Sequence, residues 1–261
     1  MSQTPKPDDE LAGTEQPFVS HLIELRDRLV RAAIAIGICF GVLAIYPGPS
    51  ALYDLLAAPL VAQLPQGSTL IATNVISPFM VPLKITLLAA FLIALPVVLY
   101  QVWAFVAPGL YSHEKRLILP LVVSSTLLFF VGVAFCYFFV FGQVFKFIQS
   151  FAPKSITAAP DIEAYLSFVM SMFIAFGAAF EVPVVVVVLA RMGLVTVEKL
   201  RDFRGYFIVV AFIIAAVITP PDVVSQLALA IPMCILYELG VFAAGYFIRY
   251  SKAPDEGAES T

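Results

Sequence analysis

The chain has 261 residues, 61% of them apolar and only 13% charged, roughly half the ~25% charge of an average globular protein. Its mean hydropathy is +0.97 and its isoelectric point is near 5.4. A disordered chain, a nucleic-acid binder and a disulfide-stapled secreted domain are all excluded. Cys39, Cys136 and Cys234 are odd in number and lie inside apolar runs, where cysteine acts as a small hydrophobe. The composition describes an integral membrane protein whose main partner is the lipid bilayer.

The predicted elements begin after a polar tail, residues 1–16, in which Asp8, Asp9, Glu10 and Glu15 outweigh Lys6. It lacks the basic and short apolar regions of a signal peptide. Between Ser20 and Leu29, Leu22, Leu25 and Leu29 share one helical face, an amphipathic lead-in to the first span. Crossing the roughly 30 Å hydrocarbon core takes about 20 apolar residues. Leu29–Tyr46, Val81–Phe105, Leu117–Phe141 and Tyr165–Leu189 fit that length. Between the first two, Leu52 to Leu60 forms a short helix along the interface, a plug over helix ends that includes Pro59. Tyr206–Thr219 has 14 residues, about 21 Å as a helix. Pro220-Pro221-Asp222 then forces a tight hairpin before Val223–Tyr250. The expected fold is all-α, a single domain of six transmembrane helices over residues 17–250, followed by a polar tail at 251–261.

Basic residues orient it. Lys6, Arg26, Arg28, Arg31, Lys115, Arg116, Arg191, Lys199, Arg201, Arg204, Arg249 and Lys252 fall on one face, and Lys146 with Lys154 on the other. The positive-inside rule places both termini in the cytoplasm.

Ionisable groups at bilayer depth are functional candidates by default. Glu181 lies ten residues before Arg191, about 15 Å from the helix end, and Pro183 beside it predicts a kink. Facing lipid, it would cost about 2.5–3.5 kcal/mol, so a wet cavity or a protein partner is expected. The alternative is a glutamate that only glues helices. Lys84, near the outer end of the second span, is expected to snorkel. Gln226 and Ser225 have groups for a neighbouring transmembrane helix or for internal packing. By spacing alone Glu24 is an i,i+4 partner of Arg28, and Glu114 a first-turn acid behind an Ser112 cap. There is no nucleotide-cradling G-x-x-x-x-G-K-[ST], no metal-binding H-E-x-x-H and no G-x-S-x-G. No cofactor, no metal and no enzymatic activity are expected.

These segments together resemble one family, the TatC subunit of the twin-arginine protein translocase. The matching stretches are Phe18 to Arg26 (FVSHLIELR), Pro65 to Thr73 (PQGSTLIAT), Tyr100 to Tyr111 (YQVWAFVAPGLY), His113-Glu114, Phe180-Glu181-Val182-Pro183 and Thr219-Pro220-Pro221-Asp222. The resemblance implies a curved, glove-like six-helix receptor in the bacterial inner membrane, its fifth and sixth helices short. Pro82, Pro96, Pro120, Pro183 and Pro232 would supply the curvature. It would bind twin-arginine signal peptides of folded cargo at its cytoplasmic face. Transport would be driven by the proton-motive force.

The resemblance further implies that Glu24 and Glu114 bind the peptide, with Phe105, Leu25 and Arg26 in the same site. A carboxylate matches the planar fork of a guanidinium, which lysine does not reproduce. Glu181 maps to an intramembrane acid of the concave face. Gln226 and Thr219 would present polar groups to the single-span partners TatA and TatB, although Ala216 stands where some relatives carry a larger side chain. Pro59, Pro221 and Asp222 would be structural positions on the periplasmic side. Self-association into a multi-copy complex is also implied. A proton-coupled secondary transporter built on Glu181 is the alternative; it would show repeated halves and paired interrupted helices.

Overall fold

The structure, a computed structural model, describes residues 8–61, 70–106, 118–151, 161–219 and 222–251. Ten α-helices and one π-helical turn account for nearly all of them. They are α1 (Asp8–Ile45), α2 (Pro49–Val61), α3 (Ser77–Val106) and α4 (Ile118–Phe135), then the π-turn Cys136–Val140 and α5 (Phe141–Phe151). There follow α6 (Ile162–Phe180), α7 (Val182–Arg191), α8 (Val197–Asp202), α9 (Arg204–Ile218) and α10 (Val223–Ser251). No strand occurs among the described residues; extended pairing is limited to an isolated bridge of Ile71 with Asp161.

Helices dominate because hydrocarbon cannot hydrogen-bond an open backbone, so each span must satisfy its own amides. Five segments are long and apolar enough to cross a membrane: Val19–Ile45, Ser77–Val106, Ile118–Phe147, Ile162–Arg191 and Val223–Tyr246. Arg204–Ile218 is a shorter apolar helix. The spans read from the sequence recur within several residues, and the first continues through the amphipathic lead-in as one helix. The third also runs further, because α4 passes through the π-turn into α5 without a break in the chain of helical residues.

The length of the last helix departs from expectation. The segment Val223–Tyr246 has 24 residues, about 36 Å of rise, which exceeds the hydrocarbon thickness. Pro232 sits inside it without ending it. Only α9 is short.

The core gathers where α4, the π-turn and α6 meet. Cys136, Val140, Phe141, Met172, Phe173 and Phe176 are buried there, with Leu229 of α10. The approach of α4 to α6 depends on glycine: a Cβ on Gly132 would lie 2.5 Å from the Phe176 carbonyl oxygen. Small residues permit such contact between membrane helices, where dispersion rather than the hydrophobic effect drives association. Gly240 does the same for α10 on α7, since its Cβ would meet Pro183 Cα at 2.8 Å.

Around this core α1 lies against α3 with most of its span exposed, as Ile34, Ile38 and Val42 illustrate. Helix α2 is the plug expected from the sequence. Its Leu52, Tyr53 and Leu56 pack on Val81 and Ile85 of α3 and on Leu166 of α6, covering the N-terminal ends of both. Gly193, in the left-handed region at φ +70°, turns the chain after α7 into the short α8.

Gly132→Val tests the α4–α6 contact. Overpacking of this kind costs about 1–3 kcal/mol, so the detergent-solubilised variant should melt at a lower temperature than the parent. An unchanged melting temperature would mean that the two helices separate at no cost.

Candidate functional site

Three polar sites lie at different depths along the helices. The first is at the C-terminal end of α3. The His21 imidazole on α1 stacks on the Phe105 ring with centroids 4.3 Å apart and planes 21° from parallel, which pins the amphipathic lead-in to α3. One turn later, Glu24 Oε1 accepts hydrogen bonds from Arg28 Nε at 3.0 Å and Nη2 at 2.5 Å. Its other oxygen, Oε2, stands 4.0 Å from His21 Nδ1. One carboxylate oxygen is therefore taken by an internal guanidinium, while the second has acceptor capacity left among the described residues.

The local pair expected from spacing is thus formed, and the structure brings Glu24 near Phe105 through His21. Arg26 turns to Asp27, with Nη2 and Nε at 2.8 and 3.0 Å from Oδ1, and Leu25 is 43% exposed. Glu114 lies outside the described residues, as does the Ser112 cap proposed for it. His21 had no role in the reading of the sequence; its i,i+3 relation to Glu24 was the available signal.

The second site is the break between α6 and α7. Helix α6 ends at Phe180, Glu181 occupies the turn, and α7 starts at Val182 with Pro183 in its first turn. The helix is interrupted at Glu181, where Pro183 predicts a kink. A proline at this position loses no helical bond, because the first amides of a helix have no partner within it. Both carboxylate oxygens of Glu181 are buried and accept no hydrogen bond from the chain. Ser125 on α4 stands near enough to act on this carboxylate. Its Oγ already accepts from Trp103 Nε1 of α3 at 2.9 Å, in a buried bond. That pair joins α3 and α4 behind Glu181 and leaves the serine proton available to the acid.

The third site lies at the opposite end of α3. Lys84 Nζ donates to Glu163 Oε1 at 2.7 Å, and Ser77 Oγ donates to Oε2 of the same carboxylate at 2.8 Å. The expectation that Lys84 snorkels to the interface is therefore corrected: a carboxylate on the first turn of α6 reaches it directly. Beside this pair, Asp161 caps α6 by accepting from the Ala164 amide at 3.0 Å. It also accepts from the Thr73 hydroxyl at 2.8 Å and the Thr73 amide at 3.1 Å. The Ala164 amide, then the Thr73 hydroxyl and amide, hold the Asp161 carboxyl below its ordinary range.

At the α9–α10 turn, Asp222 Oδ1 accepts from the Ser225 amide at 2.7 Å and caps α10. Thr219 is buried at 5% exposure, and its hydroxyl bonds back to the Ala215 carbonyl at 2.8 Å, so within one chain it presents no polar surface to a neighbour. Gln226 Nε2 reaches the Phe212 carbonyl at 3.3 Å, linking α10 to α9. Pro221 lies outside the described residues, and Pro59 falls in the last turn of α2.

Residues 20–232 match the family model described as Sec-independent protein translocase protein (TatC). The chain belongs to the TatC family. It is 49% identical to the TatC protein of Escherichia coli K12 over 241 residues, covering 92% of this chain and 93% of that one. To the TatC protein of Halothiobacillus neapolitanus it is 52% identical over 232 residues, 89% of this chain and 63% of that longer relative. Among solved structures, a crystal structure of the twin arginine translocase receptor TatC superimposes with a TM-score of 0.76 at 42% identity. It covers 88% of this chain and all of that one. The chain is accordingly a multi-pass membrane protein of the TatC family of Sec-independent translocase subunits. That assignment places the Glu24 cluster, Glu181 and the Asp161 clasp within one transport protein.

The clasp carries its own pH signature. A carboxyl whose folded-state pKa is lowered contributes stability above its unfolded value, about 3.9 for aspartate. The contribution is lost as pH falls through the lowered folded value. Melting temperature should therefore drop on acidification below about pH 4, and Thr73→Val should shrink that drop relative to the parent. Parallel curves for the two proteins would show that the Thr73 bonds do not bias Asp161.

Proposed function

We propose that this chain is the signal-peptide receptor of a twin-arginine translocase. It lies in the bacterial inner membrane as six spans with both termini in the cytoplasm. The orientation rests on the strong bias of basic residues to one set of connections. The carrying observation for the receptor role is Glu24: a carboxylate with one oxygen committed to Arg28 and the other open, set one helical turn from the His21–Phe105 stack.

A twin-arginine peptide would use that geometry in two steps. Its first guanidinium approaches Oε2 of Glu24 and shares the carboxylate with Arg28 or displaces it. Exchange of one guanidinium for another contributes little by itself, since both make charge-assisted bonds of similar strength. Net affinity then needs a second acceptor for the second arginine, and Glu114 supplies it in this reading. Phe105 and Leu25 offer apolar surface to the residues that follow the arginine pair, while Arg26 stays engaged with Asp27.

Glu181 is assigned to assembly or transport. An acid at bilayer depth with only the Ser125 hydroxyl near it inside the chain is suited to a polar group on a neighbouring transmembrane segment. TatA and TatB are the single-span partners proposed here, with Gln226 beside the α9–α10 turn as a further contact. Thr219 joins that contact only if α9 moves. The proton-motive force is the proposed energy source, and self-association gives the working complex its copies.

Three measurements test the reading. Glu114→Gln should weaken crosslinking to a peptide bearing paired arginines by about tenfold or more, since a charge-assisted bond contributes about 1.5–3 kcal/mol. Glu24→Gln should weaken it by less, because its bond replaces the one to Arg28. Undiminished crosslinking in the double variant would remove the mechanism. Glu181→Ala should remain membrane-inserted yet lose export or complex assembly, and wild-type export would dismiss its role. Thiol labelling of Gln66→Cys should occur only from outside the cell; labelling from the cytoplasm would reverse the topology.

A further inference from the structure

Helix α9 packs chiefly on α10 and touches α6 at few points. The space left between α9 and the α6–α7 pair is an apolar crevice made of two grooves, about 600 and 460 Å³ in volume. They share Ala178 and Val182, so the crevice is continuous along the helices. The smaller groove has walls of Val182, Val185, Leu189, Phe203 and Phe207, with Lys199 at its end. From Ala178 to Leu189 the wall extends about 16 Å.

Charge is confined to one end of this slot. Lys199 follows the end of the fourth span, on the short α8, and among the described residues its ammonium makes no ion pair. The nearby Arg204 is already engaged, with Nη2 2.8 Å from Glu238 Oε2. Tyr237, the other polar lining residue, donates its hydroxyl to the Leu200 carbonyl at 2.7 Å. What remains is a long, narrow, apolar slot ending in one available cation at the membrane boundary. A transmembrane helix is about 10 Å wide and over 16 Å would need on the order of 1,200 Å³, more than twice the volume of this groove. An acyl chain is thin enough, and its headgroup phosphate meets Lys199.

We propose that the crevice between α9 and α6–α7 binds one anionic glycerophospholipid, an acyl chain along Val182, Val185 and Leu189 and the phosphate on Lys199. The lipid acts as a wedge that holds the short α9 on α10. The inference is independent of the peptide site at Glu24, which lies elsewhere and takes a different ligand, although Ala178 and Val182 in the crevice wall stand on either side of Glu181.

The test uses the full chain purified in detergent, relipidated with phosphatidylglycerol or with phosphatidylethanolamine, and examined by native mass spectrometry. One phosphatidylglycerol per chain should survive activation that strips all others, and phosphatidylethanolamine should be held less firmly. Lys199→Gln, at an exposed side chain, should lower retention about fivefold, the effect of one lysine near an anionic headgroup. Val185→Trp fills the slot from a position that is 42% exposed and should abolish the retained lipid. Equal retention in all three proteins, or no retained lipid in the parent, would overturn the proposal. A photocrosslinker at Val185 that captured a single-span protein and no lipid, in membranes, would overturn it as well.

Discussion

Hydrocarbon offers no hydrogen-bond partner, so every polar group that the fold carries to bilayer depth has to be met by the protein itself. Most hydroxyls meet the requirement locally. Thr86 donates to the Pro82 carbonyl, Thr126 to Val122 and Thr219 to Ala215, each four residues back along its own helix. Others join two helices: Trp103 to Ser125 ties α3 to α4, and Tyr237 to Leu200 ties α10 to α8. Against that background a few buried atoms stand unbonded among the described residues, Gln101 Oε1, Tyr165 OH, Asp222 Oδ2 and Ser225 Oγ among them. Glu181 differs from these in leaving a whole carboxylate so. Among the described residues it is the acid with both oxygens buried and unbonded, and it sits where the helix itself is broken. A group left unmatched within one chain is suited to matching something outside it.

The two ends of α3 show opposite uses of charge. At its N-terminal end Lys84, Glu163, Ser77, Asp161 and Thr73 close a network in which both Glu163 oxygens and both Asp161 oxygens have donors. Such a network fixes the connection after α2 to the start of α6 and has little left to offer a ligand. At the C-terminal end the Glu24 pair with Arg28 is intrahelical, and what ties α1 to α3 there is the His21–Phe105 ring stack. An i,i+4 ion pair on a helix contributes only tenths of a kcal/mol, and this one is partly buried. Such pairs exchange readily.

What could be read from the sequence follows the range over which each interaction acts. Spans were legible because hydrophobic length is a local property, and α2 and the break at Glu181 were legible because Pro183 and the amphipathic run are local as well. The Glu24–Arg28 pair lies within one turn. Lys84 was misread because its partner is 79 residues away in sequence, and no periodicity links the two. The π-turn at Cys136–Val140 was invisible for a different reason: the run CYFFV is as apolar as its flanks and carries no proline or glycine. Close helix approaches at Gly132 and Gly240 likewise look like any glycine in an apolar run until the facing backbone is placed. The short fifth helix was counted correctly, whereas the sixth was expected short from family resemblance although its own apolar run was long.

A helix as short as α9 poses a mechanical problem that the rest of the bundle does not share. At 15 residues it rises about 22 Å, less than the hydrocarbon thickness, so its ends depend on neighbours to hide their polar groups. At one end, Arg204 bonds Glu238 of α10; midway along, the Phe212 carbonyl accepts from Gln226 of α10. Both ties run to α10, and none of comparable kind runs to α6 or α7 among the described residues. Helix α10 is in turn seated on α7 through Gly240. The pair α9–α10 is therefore anchored on one side only, with the apolar crevice on the other. In a membrane that opening fills with hydrocarbon, and what fills it sets how far α9 stands from the segment that carries Glu181.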